Sequence, residues 1–135
     1  MKNLIIILFS LIVFSCSSNK QILSPNIEFI IFDSVTKKPL SSVALFTNDS
    51  KGTSENLILY SEKSNAEGLI YFKEKYIYLK GNIRNFTPIP NTKFYFKKEG
   101  YEDVEIEFFK YFNVTEQSDL QKKYVSDSIF MKLKE

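Results

Sequence analysis

The stretch that most constrains this chain is residues 27–46, IEFIIFDSVTKKPLSSVALF. Ile27, Phe29 and Ile31 fall on one face of an extended run, Ile30 and Phe32 crowd the other, and Val43 and Leu45 resume an alternation after a break. Successive side chains on a strand point to opposite faces, so this pattern predicts strand, turn, strand. The break, residues 33–40, carries turn chemistry. Asp33 and Ser34 can cap backbone N–H groups with their side-chain oxygens. Pro39 fixes its own φ and pushes Lys38 out of the helical region. The two strands are expected to form a hairpin that later strands cover.

Further extended segments follow, separated by turn signals. Residues 57–64 read as a strand, and the turn Asn65-Ala66-Glu67-Gly68 is expected to close a hairpin, with Gly68 supplying a positive φ cheaply. Residues 69–78 form one long strand, or two broken near Lys73. Loops are expected over 48–56, by composition, and over 80–92, where Pro88 and Pro90 remove ladder donors. Residues 93–98 make a compact strand, turned at Glu99-Gly100. Residues 101–109 alternate best, with Val104, Ile106 and Phe108 opposed to Asp103, Glu105 and Glu107. A short helix is possible at 116–123, and the last strand is expected at 125–133, with Ile129, Met131 and Leu133 on one face. About seven short strands, with aromatic residues at 16% and only 4 Gly, argue an all-β antiparallel sandwich.

Before the first strand, one lysine precedes an apolar run, Leu4 to Phe14, interrupted only by Ser10. That length suits the apolar segment of a secretory signal and falls short of the ~20 residues that span a bilayer. The run ends in Val13-Phe14-Ser15-Cys16, which resembles a bacterial lipobox, with Cys16 the only cysteine in the chain. The resemblance implies cleavage before Cys16 and lipidation of that residue. The expected organisation is a lipoprotein signal peptide at 1–15, a lipidated polar tether at 16–25 and one domain at 26–135. With one cysteine the chain has no internal disulfide to use. A formal net charge of +2 gives no argument for a nucleic-acid partner.

The ordered pieces Asp33, Thr36, Pro39-Leu40 and Val43, then Ser64 to Gly68, then Phe96 to Glu102 resemble the carboxypeptidase regulatory-like domain, a transthyretin-like (prealbumin-like) β-sandwich. The resemblance covers residues 27–133 and makes Asp33, Thr36, Pro39, Gly68, Gly100 and Tyr101 the turn and signature residues. Lys37 and Ser42 stand where the signature has glycine, so Lys37 needs either another turn geometry or a left-handed conformation. The family contributes no catalytic residues and is common in envelope proteins of Bacteroidota-like bacteria. The expected location is the outer membrane, lipid-anchored, and facing the periplasm because residues 16–20 lack the acidic run associated with surface export in such bacteria.

Chemistry-bearing patterns are sparse. There is no histidine, the commonest general base and zinc ligand. No nucleophile elbow, phosphate-binding loop or EF-hand loop occurs. Glu105 and Glu107 share the polar face of a strand, where solvated charge is the ordinary reading. Asp49, Glu55 and Glu67 are loop carboxylates able to approach a calcium ion, but no metal or cofactor is expected. Tyr76 and Tyr78 share a strand face. Tyr111 and Phe112, in an insertion, are the possible contact aromatics, with packing the alternative. Asp33-Ser34-Val35 and Asp127-Ser128-Ile129 resemble an Asp-Ser-aliphatic O-glycosylation site, with a pair of ordinary tripeptides the favoured reading. The expected function is a non-catalytic protein-interaction or scaffolding module of the cell envelope, with a protein partner there. The rival is a glycan-binding surface lipoprotein using loop aromatics.

Overall fold

A computed structural model describes residues 19–48, 57–79 and 93–135. The expected signal peptide, Cys16, the carboxylates of Asp49 and Glu55 and the loop at 80–92 lie outside the described residues. Nine strands are described, rather than about seven: β1 Asn19–Ser24, β2 Ile27–Asp33, β3 Ala44–Asn48, β4 Leu57–Lys63, β5 Leu69–Phe72, β6 Lys75–Leu79, β7 Lys93–Lys97, β8 Val104–Glu107 and β9 Tyr124–Met131. A single-turn helix, α1 (Phe108–Tyr111), and a 3-10 turn (Gln117–Gln121) lie between β8 and β9.

Two sheets pack face to face. One has the order β5-β2-β9 and the other β4-β3-β7-β8. Alternation explains the burial. In β2, Ile27, Phe29 and Ile31 are buried and their neighbours half-buried; in β7, Phe94 and Phe96 are buried between half-buried residues. The layers meet through aromatic rings. Phe29 lies 5.0 Å from both Phe94 and Phe96, and Phe72 lies 5.0 Å from Phe94 at 81°. Tilted and edge-on pairs of this kind add about 0.5–1.5 kcal/mol each beyond the area they bury.

Three expectations about connectivity are corrected. First, β2 and β3 are strands, but they do not pair. β2 bonds to β5 and β9, and β3 to β4 and β7, so residues 34–43 form an arch from one sheet to the other. Second, β4 and β5 likewise belong to different sheets. The turn between them closes locally, with the Gly68 N–H donating to Asn65 O (3.0 Å) and the Asn65 N–H to Leu69 O (3.0 Å), but it turns a corner of the sandwich. Third, β9 runs parallel to β2 within an otherwise antiparallel framework. The register shifts between Glu28 and Ile30, and the buried Ser126 hydroxyl accepts the Ile30 N–H at 3.0 Å.

The segment expected to be a tether also differs. Asn19–Ser24 is strand, paired antiparallel with β6 from Asn19↔Leu79 to Ser24↔Lys75. The 69–78 stretch breaks at Lys73-Glu74, so β1–β2 and β5–β6 run as one long ribbon interrupted on both sides. Asn26 Oδ1 accepts the Glu74 N–H (3.1 Å) and the Tyr60 hydroxyl accepts the Lys73 N–H (3.1 Å) across that break. The strand expected to run to Phe109 ends at Glu107, and Phe108 turns inward at the start of α1. Asn113, at φ 51°, ends that turn in the left-handed region, which asparagine tolerates better than most residues.

Candidate functional site

Five of the six residues singled out in the sequence gather at one end of β2, and Gly100 lies beside the segment that follows β9. Asp33 is buried; its Oδ1 accepts the N–H groups of Val35 (2.8 Å) and Thr36 (2.6 Å), and its Oδ2 accepts the Tyr101 hydroxyl (2.9 Å). The Thr36 N–H, then the Tyr101 hydroxyl, hold the Asp33 carboxyl down at about 2 against the desolvation that opposes them. The same bond pushes the Tyr101 phenol up. Pro39 bridges to Phe32, and the Leu40 N–H donates to Ile31 O (3.0 Å). Gly68, at φ 73°, lies so close that a Cβ there would stand 2.3 Å from Ile31 O. Gly100, at φ 80°, has open space where a Cβ would be, and its carbonyl accepts the Lys134 N–H (2.9 Å).

Of the two alternatives for Lys37, the left-handed one is realised, and Ser42 shares it. Lys37 has φ 58° and Ser42 has φ 61°. Ser64, which the sequence marks only as the start of the Ser64 to Gly68 piece, is buried and accepts the Val43 N–H (2.8 Å) while donating to Leu40 O (2.7 Å). One hydroxyl thus ties β4 to the arch. The motif places Ser64 ahead of the turn, but only the fold reveals what its hydroxyl holds.

Among the described residues, a place with room for a ligand lies elsewhere, where the edges of the two sheets face each other. β8 pairs only with β7, and β9 only with β2, among the described residues. The two open edges run antiparallel and touch at one end. There Tyr101 bridges Leu133, the Glu102 N–H donates to Lys132 O (2.8 Å) and the Lys134 N–H to Gly100 O. From that clamp they splay. Val104–Glu107 and Ser128–Phe130 become the walls of an open groove of about 530 Å³. Lys110 and Tyr111 of α1 close the far end, where the Tyr111 hydroxyl reaches Asp127 O at 3.4 Å.

The two insertion aromatics separate in role. Phe112 is half-buried, 5.3 Å from the Phe108 ring and 5.0 Å from Tyr124, and it packs on the core. Tyr111 is exposed at the end of the groove, and partial burial pushes its phenol up. Their rings meet at 78°, so they form no flat platform. Charge in the groove nearly cancels: Glu105 pairs with Lys93 (2.6 Å), and Glu107 and Lys110 both contribute to the wall. Ser128 is exposed in the groove and Ser34 is half-buried, with the Ser34 N–H donating to Met131 O. Among the described residues, no group of three or more Asp, Glu, His or Cys comes together as a metal site, and no helix is long and apolar enough to cross a membrane.

The sequence matches no family model and no curated protein. Among solved structures, the fold is similar to the group B streptococcus pilus 2b backbone protein, at 13% identity and TM-score 0.39, over 82% of this chain and 41% of that one. It is also similar to a minor pilin of Streptococcus agalactiae, at 14% identity and TM-score 0.39, over 87% of this chain and 46% of that one. The chain spans less than half the length of either.

Proposed function

We propose that this protein is a non-catalytic, lipid-anchored envelope module that captures an extended segment of a partner protein in the groove between β8 and β9. The carrying observation is the pair of splayed strand edges, unpaired among the described residues and tied to each other at both ends. An open edge offers a row of backbone donors and acceptors, which an added strand satisfies. With charge nearly balanced in the groove, affinity comes from main-chain hydrogen bonds and from alternate side chains resting on Ile106 and Ile129. The volume, about 530 Å³, falls within the usual range for ligand sites of ~300–1,000 Å³.

The reading of the domain as carboxypeptidase regulatory-like belongs to this proposal. It is supported by the convergence of Asp33, Pro39, Gly68 and Tyr101 at one end of β2 and by positive φ at the two positions where the signature has glycine. The outer membrane is the proposed location, on the strength of the lipobox-like Val13 to Cys16, and its periplasmic face is proposed because residues 16–20 carry no acidic run.

The test is site-directed photocrosslinking in cells. A photoreactive side chain at Ser128 is expected to trap one dominant protein, and one at Glu62, on β4, is not. Ser128→Arg, filling the groove from an exposed position, is expected to abolish the interaction without lowering stability. Equal adducts from both positions would remove the groove from the function. No adduct, with retention of the purified protein on polysaccharide, would transfer the function to glycans.

A further inference from the structure

The β1–β6 ribbon carries a second surface that the groove does not use. Ile22↔Tyr76 and Lys20↔Tyr78 are Cα partners, so these four residues share a face. Tyr76 and Tyr78 are 45% and 59% exposed, their rings 5.4 Å apart at 76°. The Lys20 ammonium lies 4.3 Å over the Tyr76 ring and pairs with Glu74. The tip of the ribbon, at Asn19 opposite Leu79, is where the chain enters the domain.

The position of that entry decides what covers the tyrosines. Only residues 15–18 separate the apolar run ending at Phe14 from the first residue of β1. Four extended residues reach about 14 Å, and two, counted from Cys16, about 7 Å. A chain held in the membrane at either point brings the ribbon tip to the headgroup layer, which is about 5–8 Å deep on each side of the hydrocarbon. Tyrosine and lysine suit that layer, because each has an apolar body and a polar end. We infer that the Tyr76–Tyr78 face of the β1–β6 ribbon seats in the lipid headgroup layer. It thereby fixes the orientation of the sandwich on the membrane and leaves the β8–β9 groove for the partner. This inference rests on the membrane anchor proposed above.

The chain has no tryptophan, so one introduced indole reports from one place. Full-length Tyr78→Trp and Tyr71→Trp variants would be reconstituted into protein-free phosphatidylcholine–phosphatidylglycerol vesicles, with and without acyl-chain bromine. Tyr71 lies on β5, 46% exposed, and serves as the comparison. The brominated lipid is expected to quench Tyr78→Trp strongly and Tyr71→Trp little. If both variants float with vesicles but Tyr78→Trp is unquenched, the anchor stands and the inference is overturned. If neither floats, the anchor itself fails and the inference with it. Shielding of Tyr78→Trp from aqueous iodide that needs added envelope proteins would assign the tyrosines to a protein partner, also overturning it.

Discussion

At the scale of single residues, five of the described backbone positions have positive φ, and four of them should respond to substitution in opposed directions. Gly68 and Gly100 both lie in the left-handed region, where an added Cβ costs about 1–2 kcal/mol. Gly100→Ala meets open space and should lose about 1 kcal/mol; Gly68→Ala also drives a methyl into Ile31 O and should lose more than about 2 kcal/mol. Equal losses in urea denaturation would refute the distinction. Ser42→Gly should gain about 0.5–1 kcal/mol, because it relieves the same strain at an exposed position. Lys37→Gly should gain less, because the Lys37 ammonium lies 4.4 Å over Phe130 and that contact contributes about 0.5–1 kcal/mol at an exposed site. Asp33 sets an acid limit. Its carboxyl titrates at about 2 in the fold, below the ~3.9 of an unfolded chain. Its stabilisation is therefore complete above about pH 4 and is lost as pH falls towards about 2. Tyr101→Phe should flatten this acid slope without abolishing it, since the Val35 and Thr36 N–H groups remain on Oδ1. A slope as steep as that of the unaltered protein, in denaturation midpoints between about pH 2 and pH 5, would assign the tyrosine no part in it.

At the scale of elements, the sequence told which segments are extended and which side chains point inward, but not which strands are neighbours. The inward sets of β2 and β7 were readable because period-two burial is local. In β9, Ile129 and Met131 point inward, but Leu133, expected on the same face, lies past the strand and is exposed. The pairing was not, because Ile27 to Asp33 would bury the same face whether it bonded to β3 or to β9. The arch over residues 34–43 looks like a hairpin loop for the same reason: Asp33 caps it locally either way. Strand β1 was hidden in a polar stretch whose partner, β6, lies some fifty residues on. The groove was hidden too, since it belongs to two edges that meet only after folding. The device that sets the arch in place is Ser64, and Ser64→Ala should cost about 1–3 kcal/mol by leaving the buried Val43 N–H and Leu40 carbonyl without their side-chain partner. The Val43 and Ser42 amides should then exchange with deuterium faster than those of β2. Unchanged exchange across the arch would mean that its backbone bonds, Ser42 N–H to Ser64 O and Ser64 N–H to Val43 O, suffice.

At the scale of the whole molecule, the last strand closes the fold. β2 is the centre of its sheet only because β9, from the far end of the chain, pairs with it in parallel. Ile129 and Met131 then complete the core beneath it. Such long-range pairing forms late, since the intervening chain must be ordered before the contact rewards it. A chain ending at Lys123 therefore leaves β2 as an edge over an uncovered core and should fail to fold, giving no cooperative thermal transition by circular dichroism. A chain ending at Met131 keeps that core and loses the clamp at 132–134, which supplies two backbone hydrogen bonds to residues 100–102. At about 1 kcal/mol each, the loss should be about 2 kcal/mol, leaving a folded but less stable protein. Its effect on the groove should be larger than its effect on stability. With one clamp gone, the β8 and β9 edges are no longer held at a fixed separation, so photocrosslinking from Ser128 should fall in a chain that still melts cooperatively. Undiminished crosslinking in that chain would show that one sheet edge alone receives the partner, and that the spacing between the two edges has no part in recognition.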